Sequence, residues 1–366
     1  MFTLLNSLEA SAMEVQDLAT IDSASWDSLV NASDDTWLWH TWRWIEDVAR
    51  LDSLETRYFV ARLNGTNVGG FPLQIPTSGR MRRAYSLMRG SAGPFCIRQL
   101  SPSVRLGVLQ GLTSAAIRWA REKTVVSLSC SLPPLAKNNL SNSNGVNPLV
   151  TAGWRDVSTH TRIASLLEPE PTIWARLTHD ARRQVKLAKS RGYTVERGDW
   201  NDLLEEYYLV HTETYRRTGA VPHPKSYFRL IAGTAVRGEA ALWVGRDPSG
   251  KAVAFHNCAR FKSGSVYNTG CCKTDHLRSG INYMLFWQAL IGAKQDGCMQ
   301  YEIGEVFPGV LDGKLRGLTV FKEKFDGELY PYYRAEIRLF DTAPKYIRLA
   351  AILPRPIRKL LKSLTI

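Results

Sequence analysis

Two lysines stand between phenylalanines in Phe321-Lys322-Glu323-Lys324-Phe325, offering ammonium groups beside aromatic rings. Read with period 2, the segment is a strand that turns Phe321, Glu323 and Phe325 to one face and Lys322 and Lys324 to the other. That lysine face is either left in water or met by an anion. A second group lies in residues 267–284. There a strand containing Tyr267 ends in a Gly-bearing loop, and Arg278, Gly280 and Asn282 stand at the start of the next helix. Free amides and the helix dipole favour a phosphate or carbonyl oxygen at such a start, although Gly280 alone would equally serve close packing. A third group occupies residues 172–192, read as one helix. Trp174, Leu177, Ala181, Val185 and Ala188 recur at helical spacing, and Arg182, Arg183, Lys186 and Lys189 take the opposite side. Such a basic stripe is either a solvated face or a track for phosphates whose grip weakens in salt.

Other chemistries lack their residues. The seven histidines show no HxxxH and the six cysteines no CxxC, so no metal site is expected. No GxSxG elbow, GxxxxGK[ST] loop or GxGxxG turn occurs, which leaves covalent hydrolases, nucleotide triphosphatases and dinucleotide enzymes without support. No cofactor is expected.

The balance of charge is distinctive. Lys and Arg number 47 against 34 Asp and Glu, a net +13 in 366 residues, which points to phosphate-rich partners or an anionic membrane surface. Residues 1–15 lack a basic start followed by an apolar core, and no apolar run has the length of a membrane span. The expectation is a cytoplasmic protein with reduced, buried cysteines. Residues 345–366 contain six basic residues and no acidic one, and Pro354 and Pro356 divide them. Two short amphipathic pieces are expected there, able to rest on RNA or on the inner face of a membrane.

The elements that must position these groups occur twice. Residues 60–71 and 244–255 each read as strand, turn and returning strand, with Asn-Gly and Asp-Pro-Ser-Gly as the turns. The first hairpin is followed by a strand at 83–90, a helix at 102–123 and a strand at 124–130. The second is followed by a strand at 265–272, a helix at 277–295 and a strand at 299–303. The same order around both hairpins implies an internal duplication. The expected domains are 1–165, 166–342 and a tail at 343–366, with the Asn-, Ser- and Pro-rich stretch 133–148 near the first boundary.

Three stretches then resemble the FemABX-like branch of the GNAT acyltransferase superfamily: "RRQVKLAKSRGYTVERG" at 182–198, the block 267–305, and "GLTVFKEKFDGEL" at 317–329. The resemblance implies two tandem GNAT-like α/β domains with mixed, mostly antiparallel sheets. It also implies transfer of an acyl or aminoacyl group to an amine, for cell-wall or natural-product biosynthesis. The lysine of the FK pair resembles a residue that contacts the aminoacyl end of tRNA, which makes Lys322 the first catalytic candidate, with Phe321 stacking beside it. Lys324 and Arg316 become candidates for phosphates, and Asp275, Glu302 and Glu305 for proton acceptors. Asp326 stands where the family commonly has glycine.

GNAT enzymes that use acyl-CoA hold its pyrophosphate with [QR]xxGx[GA]. Here Leu277 stands three before Gly280, and Val104 three before Gly107, so neither half has that motif. With the positive charge this favours aminoacyl-tRNA as donor. An acyl-CoA-dependent N-acyltransferase is the alternative, and a non-catalytic RNA- or envelope-binding protein the second alternative.

Overall fold

The computed structural model describes residues 13–79, 82–142 and 145–340, so the basic tail lies outside the described residues. The chain opens with β1 (Met13–Leu18), α1 (Ser23–Asn31), α2 (Trp42–Asp52), β2 (Leu54–Leu63), β3 (Thr66–Pro76), β4 (Arg83–Tyr85), β5 (Phe95–Cys96), α3 (Pro102–Glu122) and β6 (Ser127–Ser131). It continues with α4 (Lys137–Leu140), β7 (Arg155–Asp156), β8 (Thr159–Ser165), α5 (Glu170–Arg176), α6 (His179–Ser190), β9 (Thr194–Gly198), α7 (Trp200–Thr218) and α8 (Lys225–Val236). Then follow β10 (Ala240–Arg246), β11 (Ala252–Phe261), β12 (Gly264–Cys272), α9 (Ile281–Gln295), β13 (Gln300–Val306), α10 (Gly313–Lys322), β14 (Glu328–Tyr332) and β15 (Arg334–Arg338).

Both hairpins form where their turn chemistry predicts. Asn64 and Gly65 take φ of 50° and 80°, the left-handed pair that a tight turn between right-twisted strands needs. In the other turn the Asp247 carboxylate accepts from the amides of Ser249 and Lys251. The first sheet runs β1-β2-β3-β4-β6-β15-β7, with β5 added to β3, and the second runs β9-β10-β11-β12-β13-β8-β14. Among the described strands each sheet has a single parallel pair, β4 with β6 and β12 with β13, at the same place in the order. All other pairs are antiparallel. The duplication therefore extends from the hairpins to the whole sheet.

One unit holds the described residues to Pro133, Val146–Val157 and those from Arg334 on; the other holds Pro134–Gly145 and Ser158–Tyr333. These units differ from the expected 1–165 and 166–342. Thr159–Ser165 form β8 in the second sheet, and β15 returns to the first, pairing with β6 from Arg334↔Ser131 to Arg338↔Ser127. In each sheet the incoming strand covers the free edge of the strand in the parallel pair, satisfying amides and carbonyls that would otherwise stay open.

Two expected elements differ. The helix read across 172–192 is two helices, because Leu177 leaves helical geometry (φ −60°, ψ 144°). Thr178 then caps α6, its hydroxyl accepting from the Ala181 amide at 3.2 Å, while its own amide donates to the Lys324 carbonyl at 3.1 Å. The apolar stripe holds: Leu177, Ala181, Val185 and Ala188 are buried. The segment 321–325 is not a strand. Phe321 and Lys322 end α10, and Glu323–Phe325 form one 3-10 turn.

Candidate active site

The registered pairing of β12 with β13 stops after three pairs, Gly264↔Gln300 to Val266↔Glu302, and from there the strands part. Both carry an irregularity at that level. Asn268 is an extra residue opposite β11, whose Asn257 pairs with Thr269 and Cys258 with Tyr267. Ile303 is an extra residue opposite β8, and Gly304 after it takes φ of 98°. Bulges bend and twist a strand, and with two at one level the pairing of β12 with β13 ends beside Tyr267 and Gly304, a parting termed the cleft.

Lys322 lies in this cleft. Thr319 and Lys322, three apart, form the buried face of α10. The Thr319 hydroxyl accepts from the Phe307 amide at 3.0 Å and fixes that face against the end of β13. The Lys322 ammonium donates to the Glu305 carbonyl at 3.0 Å and lies 5.7 Å from the centre of the Tyr267 ring. A Cβ on Gly304 would come within 2.8 Å of Nζ, and its φ of 98° already disfavours any side chain at that position. Burial lowers the Lys322 pKa to about 8, opposed by the negative charges of Glu302 and Glu305. Residues 302 and 305 would face opposite ways in a regular strand; the bulge at Ile303 lets both act on one lysine. Their carboxylates are held by β8, with Thr161 donating to Glu302 at 2.8 Å and Thr159 to Glu305 at 2.5 Å.

Beneath the cleft runs a buried polar line. His256 Nε2 and the Tyr301 hydroxyl are 2.7 Å apart, and Cys258 Sγ is 3.2 Å from the same hydroxyl. Tyr267 covers the His256 ring at 4.5 Å. Burial pushes the His256 pKa down to about 3, so its ring is neutral. Thr159, Thr161, Gly304, His256 and Tyr301 were missed by the sequence reading. Only Thr159 and Thr161, two apart on a strand, left a trace of shared facing there.

Other expected residues are placed differently. Lys324 donates to Asp180 at 2.8 Å and to the Tyr283 hydroxyl at 3.0 Å, and it holds the Asp180 carboxyl down at about 2. It ties the 3-10 turn to α6 instead of awaiting a phosphate. Phe321 packs on Tyr283, Phe286 and Phe325 at 5.1–5.9 Å and belongs to the core edge. Asp275 is exposed in the turn after Cys272. Five residues of strand at ~3.3 Å each separate Tyr267 from Cys272, so Asp275 does not reach Lys322. Arg316 is exposed on α10.

At the start of α9, Gly280 is the N-cap with φ 89°, and a Cβ there would stand 2.4 Å from the Gln184 carbonyl oxygen. Its role in the fold is close packing of α6 on α9. Ser279 Oγ accepts from the Ile281 amide at 3.1 Å. Asn282 is half-buried and bonds the Cys272 thiol, while the exposed Arg278 gives its carbonyl to Arg191. On α6, Arg182 donates to the Ala175 carbonyl, Arg183 pairs with Asp180, and Lys186 points to solvent. Arg183, Lys186, Lys189, Arg191 and Arg278 are all exposed and form a basic ridge over the α6–α9 contact. Among the described residues no group of three or more His, Cys, Asp or Glu side chains could hold a metal ion. No helix of the described residues is long and apolar enough to cross a membrane.

The comparisons agree with this geometry. Residues 175–314 match the family model described as an acetyltransferase (GNAT) domain. No curated protein matches the chain in sequence. Among solved structures, FemX is similar over 88% of this chain and 97% of its own, at 15% identity and a TM-score of 0.68. A tandem GNAT protein from the clavulanic acid biosynthesis pathway is similar over 90% of this chain and 99% of its own, at 11% identity and a TM-score of 0.53. The C-terminal domain of a candidate lysylphosphatidylglycerol synthetase from Agrobacterium fabrum covers 79% of this chain and 86% of its own, at 15% identity and a TM-score of 0.54. The domain matched over residues 175–314 marks an acyltransferase that carries a GNAT domain in its second unit. Its two mixed sheets, each opened at one parallel pair, have the fold of FemX and of the tandem GNAT protein.

Proposed function

We propose that the protein transfers an aminoacyl group from aminoacyl-tRNA to an amine acceptor, and that the reaction takes place at the cleft between β12 and β13. The observation that carries this reading is the Lys322 ammonium, buried where the strands part and within hydrogen-bond reach of the Glu305 carbonyl. In the reaction the acceptor nitrogen forms a bond to the ester carbonyl carbon, and negative charge gathers on the carbonyl oxygen. Lys322 stabilises that oxygen from a water-poor site. The C–O ester bond then breaks, and a proton lost by the amine ends on the released tRNA hydroxyl. We assign the passage of that proton to Glu305, which is half-exposed and whose charge acts on Lys322.

Two observations support tRNA as the donor. The basic ridge and the net charge of +13 suit a polyphosphate. The first amide of α9 is taken by Ser279, and the Gln184 carbonyl crowds the helix start, which disfavours a pyrophosphate at the place where acyl-CoA enzymes bind it. The name of one similar structure, a lysylphosphatidylglycerol synthetase domain, supports the aminoacyl group and leaves the carrier to those two observations. Acyl-CoA is the second reading, because the tandem GNAT protein is described with reference to AcCoA. Labelled aminoacyl-tRNA and labelled acyl-CoA, each offered to the purified protein with a cell extract as acceptor source, separate them. Label passing from tRNA and abolished by ribonuclease is expected. Label passing from CoA in the presence of ribonuclease would overturn the reading.

A further inference from the structure

The segment that follows the cleft presents aliphatic side chains to water. Leu311 is 90% exposed, and Leu315 and Leu318, three apart on one face of α10, are 46% and 39% exposed. Lys314 donates to the Thr218 carbonyl at the end of α7. This brings the same surface next to Val221, which is 87% exposed. Scattered exposed aliphatics are ordinary, but four gathered around one loop and one short helix form a patch. Cations border it: Lys314 and Arg316 on α10, and Arg216 and Arg217 at the end of α7, are exposed. Asp312 is the acidic residue within the segment 307–318.

We propose that this patch docks on the surface of an anionic lipid bilayer, with Leu311 and Leu315 entering the headgroup boundary and the four cations meeting lipid phosphates. Aliphatic side chains fitted with basic neighbours are what an interfacial element needs. RNA would meet the cations through its phosphates but would give Leu311 and Leu315 no apolar partner. A second copy of the chain meeting it about a two-fold axis would set the same cations against themselves. The segment 307–312 leaves directly from β13, so docking would bring a membrane-borne acceptor to the mouth of the cleft. The inference goes beyond the transfer reading and does not depend on which donor is used.

Sedimentation of the full chain with vesicles of phosphatidylcholine, alone or mixed with phosphatidylglycerol, tests it. Binding is expected to the mixed vesicles only, weakening as salt is raised. Leu311→Asp combined with Leu315→Asp should lower that binding by about tenfold or more. A Leu311→Trp variant should show blue-shifted emission that brominated lipid chains quench. Absence of binding by the native protein to mixed vesicles would overturn the proposal. So would unchanged binding by the double variant, which would locate the contact elsewhere on the chain. A native dimer dissociated by Leu311→Asp would overturn it in favour of self-association. Transfer to a water-soluble amine is expected to be unchanged in the double variant, and its loss there would assign the patch to the reaction site instead. Lys322→Ala, by contrast, should slow transfer by about 10²–10³-fold and leave vesicle binding intact, so failure of one idea is read separately from failure of the other.

Discussion

Lys322 has a pKa held near 8 by burial, so its ammonium is lost within an accessible pH range. If its charge stabilises the oxyanion, kcat/KM for a weakly basic amine such as hydroxylamine should fall as pH rises through about 8. In Lys322→Arg, whose guanidinium stays charged, that falling limb should vanish even though the rate is lower. A rate that instead rises through 8 in the native protein would make the lysine a base. His256 has the opposite relation to charge. Burial lowers its folded pKa from 6.5 to about 3, so the unfolded chain binds the proton first as pH falls. Stability from this group is complete above pH ~6.5 and declines below it, by about 2 kcal/mol at pH 5. Urea unfolding at pH 7 and 5 should show the loss, and a His256→Phe variant should lack that portion of it. Lys322 was legible from its place in the FK pair, but its setting was not, because the carboxylates and Gly304 come from a different strand and meet it only in three dimensions.

Among the elements, the 321–325 segment shows why a short motif misleads. Phe321 and Phe325 are four apart, which satisfies a helical stripe as well as a period of 2, and five residues cannot separate the two. The Lys322 and Lys324 pair looked like one face, but in the fold the first is buried in the cleft and the second is bound to Asp180. The α5–α6 break was hidden for a related reason: the apolar stripe continues through Leu177 although the backbone does not. Thr178→Ala removes the α6 cap and should cost about 1 kcal/mol. Gly280→Ala is expected to cost more, roughly 2–4 kcal/mol, since it combines a left-handed φ with a contact of 2.4 Å to the Gln184 carbonyl. Thermal unfolding of both variants checks the order. A Gly280→Ala protein as stable as the native one would show that α6 and α9 have room to separate.

In the whole molecule the duplication was legible from two hairpins and the elements after them, because turn residues and apolar runs are local signals. The assignment of β8 and β15 to their sheets was not. Neither Thr159–Ser165 nor Arg334–Arg338 states which sheet it joins; that choice is made by the open edges of β13 and β6. Ending the chain after Tyr333 removes β15 and leaves β6 with an unpaired edge. The first unit should then unfold at lower temperature and aggregate, and hydrogen exchange should find Leu128 and Cys130 amides deprotected. The most direct test of the account is single-turnover transfer from labelled aminoacyl-tRNA by the native protein and by Lys322→Ala. The account predicts ribonuclease-sensitive transfer by the native protein, slowed by about 10²–10³-fold in the variant with tRNA binding unchanged. Equal rates for the two proteins would contradict it.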